Sequence, residues 1–293
     1  MNTSHLHEEC PIQSNCDWKF HFLTNGNFKN LSIYKCYTCG LLALHPRPDQ
    51  TQLYNADYYE GKAEYSYIDE REQFPYFSHV WDGRIKNIKK YVQNGNFLDI
   101  GSSFGGFLKR AEKFGFDVYG VEISKYASQY ANNVQNVPTF NGNLMEAKFP
   151  TNFFSVITLV EVIEHIENPH GFFMEITRIL KPGGLLLIQT ANFEGWQAKH
   201  EGSRYHYFMP GHVYYYSHSI IKNILTHFGF SRFFPYFGVD FSLLAKLKKS
   251  RGNFKSLRDY KVWFRITYYH FKSQWKSKGF PLTSSYVLYA IKD

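Results

Sequence analysis

The sequence predicts an α/β fold, a doubly wound and mostly parallel sheet with helices on both faces and a small cysteine-bearing segment in front of it. Three observations predict it. Short apolar runs alternate with helically spaced stretches between residues 96 and 188, the pattern of right-handed βαβ units around a parallel sheet. The first of these runs ends in glycine just before a helix, where such sheets approach their ligands. All four cysteines, Cys10, Cys16, Cys36 and Cys39, lie in the first 39 of 293 residues, outside the alternating region.

The segment 1–48 reads as a zinc-ribbon-like unit. Cys36-Tyr37-Thr38-Cys39-Gly40 has the spacing of a metal knuckle: two thiolates grip one zinc and the glycine lets the backbone turn around it. Cys10 and Cys16 are spaced more widely, so His5, His7 or His21 stands as an alternative to one of them. Metal binding is favoured over disulfides in an intracellular protein, and four protein ligands make a structural site. Residues 49–95 read as a Tyr-rich connector followed by a helix over Phe77–Val92.

The alternating block, 96–240, follows. Strands are expected at Phe97–Gly101, Asp117–Glu122, Phe154–Val160 and Leu185–Ile188. Helices are expected at Gly105–Phe114, at Ser124–Gln135 with Ser124 as N-cap, and at Pro169–Leu180. Lys181-Pro182-Gly183-Gly184 is expected to end that helix before the next strand. Residues 241–293 form a basic aromatic helical segment, with Phe264, Tyr268, Phe271 and Trp275 at helical spacing, and a last strand at Ser285–Ile291.

Composition excludes several classes. Hydrophobic residues make up 44% and charged residues 20%, a globular balance. The N-terminus has no basic stretch followed by an apolar one, and no apolar run approaches the ~20 residues that span a bilayer. A cytoplasmic location is the expectation. The net charge of +8 is concentrated: from Phe241 onward twelve Lys and Arg face only Asp259 and Asp293. Such a block attracts a phosphorylated small molecule, a nucleic acid or an anionic membrane surface, or simply faces water. The aromatic stripe docks on the core or lies on an anionic membrane.

The first strand and its turn run Phe97-Leu98-Asp99-Ile100-Gly101-Ser102-Ser103-Phe104-Gly105-Gly106. A dinucleotide fingerprint needs glycine at the first, third and sixth positions, and the third here is Ser103. Asp99 also falls outside that fingerprint. The Asp-x-Gly-x-x-x-Gly turn instead resembles motif I of class I S-adenosylmethionine-dependent methyltransferases. Four further stretches agree in order: Glu122 ending the second strand, Asn141-Gly142-Asn143-Leu144, Glu161-Val162-Ile163-Glu164-His165-Ile166 after the fourth, and Arg178 to Gly184 before the fifth. The branch resembled is that of ubiquinone-biosynthesis O-methyltransferases. The cysteine leader, with His45-Pro46-Arg47-Pro48 and Tyr58-Tyr59, resembles that of nucleotide-sugar C-methyltransferases.

The resemblance implies a Rossmann-like sheet with an antiparallel last strand, S-adenosylmethionine as cofactor and structural zinc on Cys10, Cys16, Cys36 and Cys39. It implies cofactor contacts from Asp99, Gly101, Ser102, Gly105, Glu122, Ile123, Asn143, Leu144, Val160 and Glu161, with Tyr58-Tyr59 over the cofactor. Ser103 departs from the family's frequent glycine, and Asn143 from its common aspartate. Methyl transfer to a hydroxyl or carbon acid needs a base; His165, Glu164, His212 and His206 are the candidates. The stretch 195–216, dense in Trp, His, Arg and Tyr, is the expected acceptor region, and its aromatics with Arg204 suit a sugar-like, phosphorylated or nucleotide-linked molecule. RNA modification or nucleic-acid binding through the leader and basic tail is the alternative.

Overall fold

The computed structural model describes residues 16–47, 71–273, 275–277 and 280–293. Cys10, His5, His7 and the Tyr58-Tyr59 pair lie outside them. The centre is a seven-stranded sheet built from β4 (Gly95–Ile100), β5 (Phe116–Glu122), β6 (Thr139–Asn141), β7 (Phe154–Val160), β8 (Leu180–Ala191), β10 (Phe230–Phe237) and β13 (Ser285–Lys292). Their order is β10-β13-β8-β7-β4-β5-β6. The pairs β4/β5, β4/β7, β5/β6 and β7/β8 are parallel, and β13 runs antiparallel between β8 and β10. This is the Rossmann-like sheet with a reversed last strand that the sequence implies. The strand order turns back at β4, so the carboxyl ends of β4, β5 and β7 border the crevice where such sheets bind ligands.

The helices follow from local signals. Helix α1 (Phe74–Ile88) starts three residues earlier than the apolar spacing predicts, with Pro75, whose fixed φ suits a first turn, as its second residue. Helix α2 (Gly106–Lys113) follows β4, and α3 (Lys125–Asn133) is capped by Ser124, whose hydroxyl accepts from Ala127 N–H. Helix α4 (Pro169–Ile179) is capped by Asn168. The helix ends before Lys181 as expected, but the next strand starts at Leu180, ahead of rather than after Lys181 to Gly184. These residues bulge inside β8, where Phe154 pairs with Leu180 and Val156 already pairs with Leu185. A bulge keeps the flanking residues in the ladder.

A second, antiparallel sheet joins β1 (Trp18–Asn25), β2 (Lys29–Cys36) and β3 (Leu42–Leu44) to β9 (Tyr214–Tyr215), a strand contributed from beyond β8. Between β8 and β9 lies α5 (Trp196–Glu201), and α6 (His218–His227) leads into β10. Two helices precede β13: α7 (Leu243–Ser250) and α8 (Lys261–Lys272). Helix α7 packs on α1, with the Lys249 ammonium 3.8 Å from the Phe77 ring centre. Helix α8 lies outside α7 and buries no residue. Its covered side carries Val262, Trp263, Ile266, Thr267 and His270, whereas Phe264, Tyr268, Phe271 and Trp275 face solvent. The stripe therefore does not dock on the core. Among the described residues no helix is long and apolar enough to cross a membrane.

Candidate active site

Two carboxylates and a turn meet at the carboxyl ends of β4 and β5. Asp99 sits within β4 at 5% exposure, its Oδ1 accepting from Thr158 Oγ1 on β7 (2.6 Å). Gly101 leaves the strand with φ +74°, a conformation open to glycine at little cost. Its amide donates to Val121 O (2.8 Å), which lays the turn across the end of β5. Glu122, 3% exposed, then gathers that turn: Oε2 accepts from Ser103 N–H (2.8 Å) and Oε1 from Ser124 N–H (2.9 Å). The hydroxyls of Ser102 and Ser103 are buried at the same turn with no hydrogen-bond partner among the described residues. Buried polar atoms of this kind call for a polar ligand or water.

The neighbouring positions fill in the rim. Gly105 opens α2 and Ile123 projects, 54% exposed, just past Glu122. Leu144 is buried. Asn143 Oδ1 accepts from Glu146 N–H (3.0 Å) while its own N–H donates to the Glu146 carboxylate (2.9 Å), so this side chain already closes a local turn.

Past Val160, which ends β7, Glu161 holds φ +55°, and a short turn, Ile163–His165, carries Glu164 and His165. His212 reaches them from the segment before β9. The imidazoles of His165 and His212 lie edge to face with ring centres 4.9 Å apart. His165 Nδ1–H donates to Gly211 O (2.8 Å), which places the proton of the neutral ring on Nδ1. Among the described residues, neither carboxylate oxygen of Glu164 has a donor in good hydrogen-bond geometry, nor does His212 Nδ1 have a partner. Ligand atoms of Glu164, His165 and His212 lie within 4.8 Å of one another, a set able to hold a divalent cation.

Desolvation sets the charge of this cluster. It lowers His165 to about 4, and it lowers His212 well below the usual histidine value, helped by His165. The near-neutral titration expected of a histidine base is thus displaced, because both rings sit inside the protein. Desolvation raises Glu161, and raises Glu164 well above the carboxylate range with Glu161 beside it. The cluster can accept a proton or coordinate a cation through neutral imidazoles. His206 lies apart from it, facing Glu201 at 3.6 Å on the surface.

The sequence reading missed the polar support behind the cluster. Gln189 on β8 donates to Glu161 Oε1 (2.9 Å) and accepts from Arg84 of α1, whose guanidinium grips the buried Asp240 at 2.8 Å. Tyr289 also donates to Asp240. The aromatics of the 195–216 stretch are mostly internal: Tyr205, Phe208 and Tyr215 are buried with Ile33 and Leu44 of the second sheet. Arg204 is exposed, and its carbonyl crowds Gly26 in the β1–β2 turn.

In the leader, the thiols of Cys16, Cys36 and Cys39 converge within 4.8 Å and form no disulfide. Cys39 N–H donates to Cys36 Sγ (3.4 Å), and Gly40, at φ +83°, turns the chain back so that its amide reaches Cys36 O (2.8 Å). His21 does not join this cluster.

Comparison with known proteins is consistent across methods. A family model described as "Methyltransferase domain" matches residues 67–232. The demethylmenaquinone methyltransferase of Tropheryma whipplei (strain Twist) is 33% identical over 97 residues, 31% of this chain and 39% of that protein. The ubiquinone biosynthesis O-methyltransferase of Maricaulis maris is 32% identical over 101 residues, 32% of this chain and 40% of that protein. The chain thus spans about two fifths of the length of these curated relatives. Among solved structures, a SAM-dependent methyltransferase from Archaeoglobus fulgidus matches 73% of this chain and 94% of its own at 15% identity, TM-score 0.51. The Haemonchus contortus phosphoethanolamine N-methyltransferase 2, in complex with S-adenosyl-L-methionine, matches 96% of this chain and 70% of its own at 17% identity, TM-score 0.51. At such identities the structural likeness is one of fold.

Proposed function

Because the chain belongs to the methyltransferase domain family, we propose that it transfers a methyl group from S-adenosylmethionine to an oxygen or carbon of a small, sugar-like or nucleotide-linked acceptor. The comparisons do not favour the nucleic-acid reading. The observation that carries the proposal is the bond from Ser103 N–H to Glu122 (2.8 Å), which ties the glycine turn and the second-strand acid into one cradle. The unpartnered hydroxyls of Ser102 and Ser103 in that cradle fit a polar ligand.

When bound, S-adenosylmethionine supplies an electrophilic methyl group on a sulfonium. In this reading Asp99 faces the ammonium of its amino-acid end, and Gly101, Ser102 and Gly105 shape the turn around it. Glu122 accepts from the ribose hydroxyls, Ile123 and Leu144 flank the adenine, Asn143 meets its edge, and Val160 and Glu161 close the acceptor side. Glu164, His165 and His212 face the acceptor, where they take its proton or hold a cation against its oxygens. Neutral imidazoles at pH 7 suit coordination of a cation, whereas their lowered values make them weak bases on their own. His206 retains a role only at the margin of the acceptor. Structural zinc is assigned to Cys16, Cys36 and Cys39, with Cys10 as the fourth thiolate.

Two measurements test this. Calorimetric titration with S-adenosylmethionine should show binding, and Ile123→Ser should weaken it several-fold with little change in melting temperature, since exposed substitutions shift stability by about 0.5 kcal/mol or less. Isotope transfer from labelled cofactor should then mark sugar nucleotides or phosphorylated sugars in a small-molecule panel. Absence of cofactor binding to folded protein sinks the assignment of the cradle. Transfer to quinols alone sinks the acceptor class and leaves the cradle standing.

A further inference from the structure

We propose that the outward face of residues 243–277 binds the surface of an anionic phospholipid bilayer. This inference rests on the surface of the protein and needs no assumption about the methyl acceptor.

The apolar side chains of this segment point the wrong way for a core. Leu257 is 86% exposed and Phe264 is 81% exposed, and Leu244, Tyr268, Phe271 and Trp275 are each more than half exposed. On α8 the residues Phe264, Tyr268 and Phe271 fall at i, i+4 and i+7, one line along the outer face. Exposed apolar side chains lined up along one helix face mark a docking face. Exposed cations surround the line: Lys248, Arg251, Lys255, Arg258, Lys261, Arg265 and Lys276. The one acid of the segment, Asp259, accepts from Lys255 N–H (2.8 Å) and Ser256 N–H (2.7 Å) and closes a local turn. The cations of the segment far outnumber it, so the net charge of this face is positive, whereas the rest of the chain carries a slight excess of acids.

The mixture selects the occupant. Basic side chains alone would suit any polyanion. Leu244 and Leu257 offer no face for stacking bases, but they enter an acyl boundary as readily as Phe264 and Phe271 do. Tyr and Trp sit well at the headgroup level, and Lys and Arg stems reach outward to phosphates. A second copy of the chain would bring the same positive field against itself.

Full-length protein should co-sediment with phosphatidylcholine vesicles that contain phosphatidylglycerol, with partition roughly tenfold or more above that for phosphatidylcholine alone, and lower at high salt. Brominated acyl chains should quench tryptophan fluorescence, and Trp275→Phe should remove most of that quenching. Exchanging Phe264 and Phe271 for Ser should abolish partition at an unchanged melting temperature, and Arg258→Glu with Arg265→Glu should do the same without touching the aromatics. Equal partition to both vesicle types, or none at low salt, overturns the proposal. So does tight binding of a single-stranded oligonucleotide by protein that ignores the vesicles. Cofactor binding by calorimetry is read separately, so failure here leaves the methyltransferase reading intact.

Discussion

Ser103 holds φ at +49° in the middle of the glycine turn, a conformation that costs an L side chain roughly 1–2 kcal/mol. Its hydroxyl, buried without a partner, adds to that cost. What it holds in place is its own amide, aimed at Glu122. Strain kept at a ligand cradle is a common feature of functional turns. Ser103→Gly should therefore stabilise the protein by up to about 1 kcal/mol in chemical denaturation, with the cofactor still bound. An unchanged or lower stability would mean that the serine hydroxyl has a partner in solution that offsets the backbone term. Glu161 repeats the pattern at the end of β7, with φ +55° and its carboxylate fixed by Gln189.

At the scale of elements, the pairing of Arg84 with Asp240 fixes α1 to the chain after β10, across 156 positions of sequence. Desolvation opposes the buried guanidinium, but the Asp240 carboxylate and its hydrogen bonds outweigh it and hold Arg84 charged. Removing one partner leaves an uncompensated buried charge, so Arg84→Leu should cost about 3–5 kcal/mol, and adding Asp240→Leu should recover a good part of it. Urea denaturation of the two variants measures both effects; equal stability of the single and wild-type proteins would contradict the buried pair. No sequence pattern announced this contact, because ion pairs far apart in the chain leave no period. The elements themselves were legible. Strand β7 falls on its predicted residues because a strand buried on both faces reads as an unbroken apolar run, and Ser124 caps α3 as its residue type implies. Lys181 to Gly184 marked the end of the helix correctly but not the start of β8, because Pro and Gly mark a bulge as readily as a strand boundary. The α8 stripe misled in another way: periodicity shows that a helix has an apolar face and not which way that face looks. In the candidate site, the residues of the turn and of Glu161 to His165 were legible from their motif, whereas the meeting of His165 with His212 depends on a loop that returns from β8 and was open until the fold was known.

Considered as one molecule, the cysteine leader and the cluster of Glu164, His165 and His212 are mechanically joined. Strand β3 pairs with β9 through Leu42–Tyr215 and Ala43–Tyr214, and Leu44 N–H donates to Val213 O (2.9 Å). Val213 N–H in turn donates to Glu164 O (2.7 Å), and Arg47 donates to Tyr214 Oη (2.7 Å). His212 thus sits one residue before a strand whose place is set by the leader. The cradle at Asp99, Gly101 and Glu122 stands on β4 and β5, with no strand from the leader between them. Loosening the leader should therefore disturb the acceptor and spare the cofactor. Cys36→Ser, or removal of metal with a strong chelator, should lower kcat/KM for the acceptor roughly tenfold or more, the range seen when groups supporting a site's ligands are lost. The dissociation constant for S-adenosylmethionine should stay within about twofold, since distant and independent sites add. Elemental analysis of protein purified without chelator should find zinc in the wild type and little in the variant. If cofactor affinity falls as far as acceptor turnover, the leader supports the whole fold; if neither changes, the three thiols play no part in holding β9 and His212 in place.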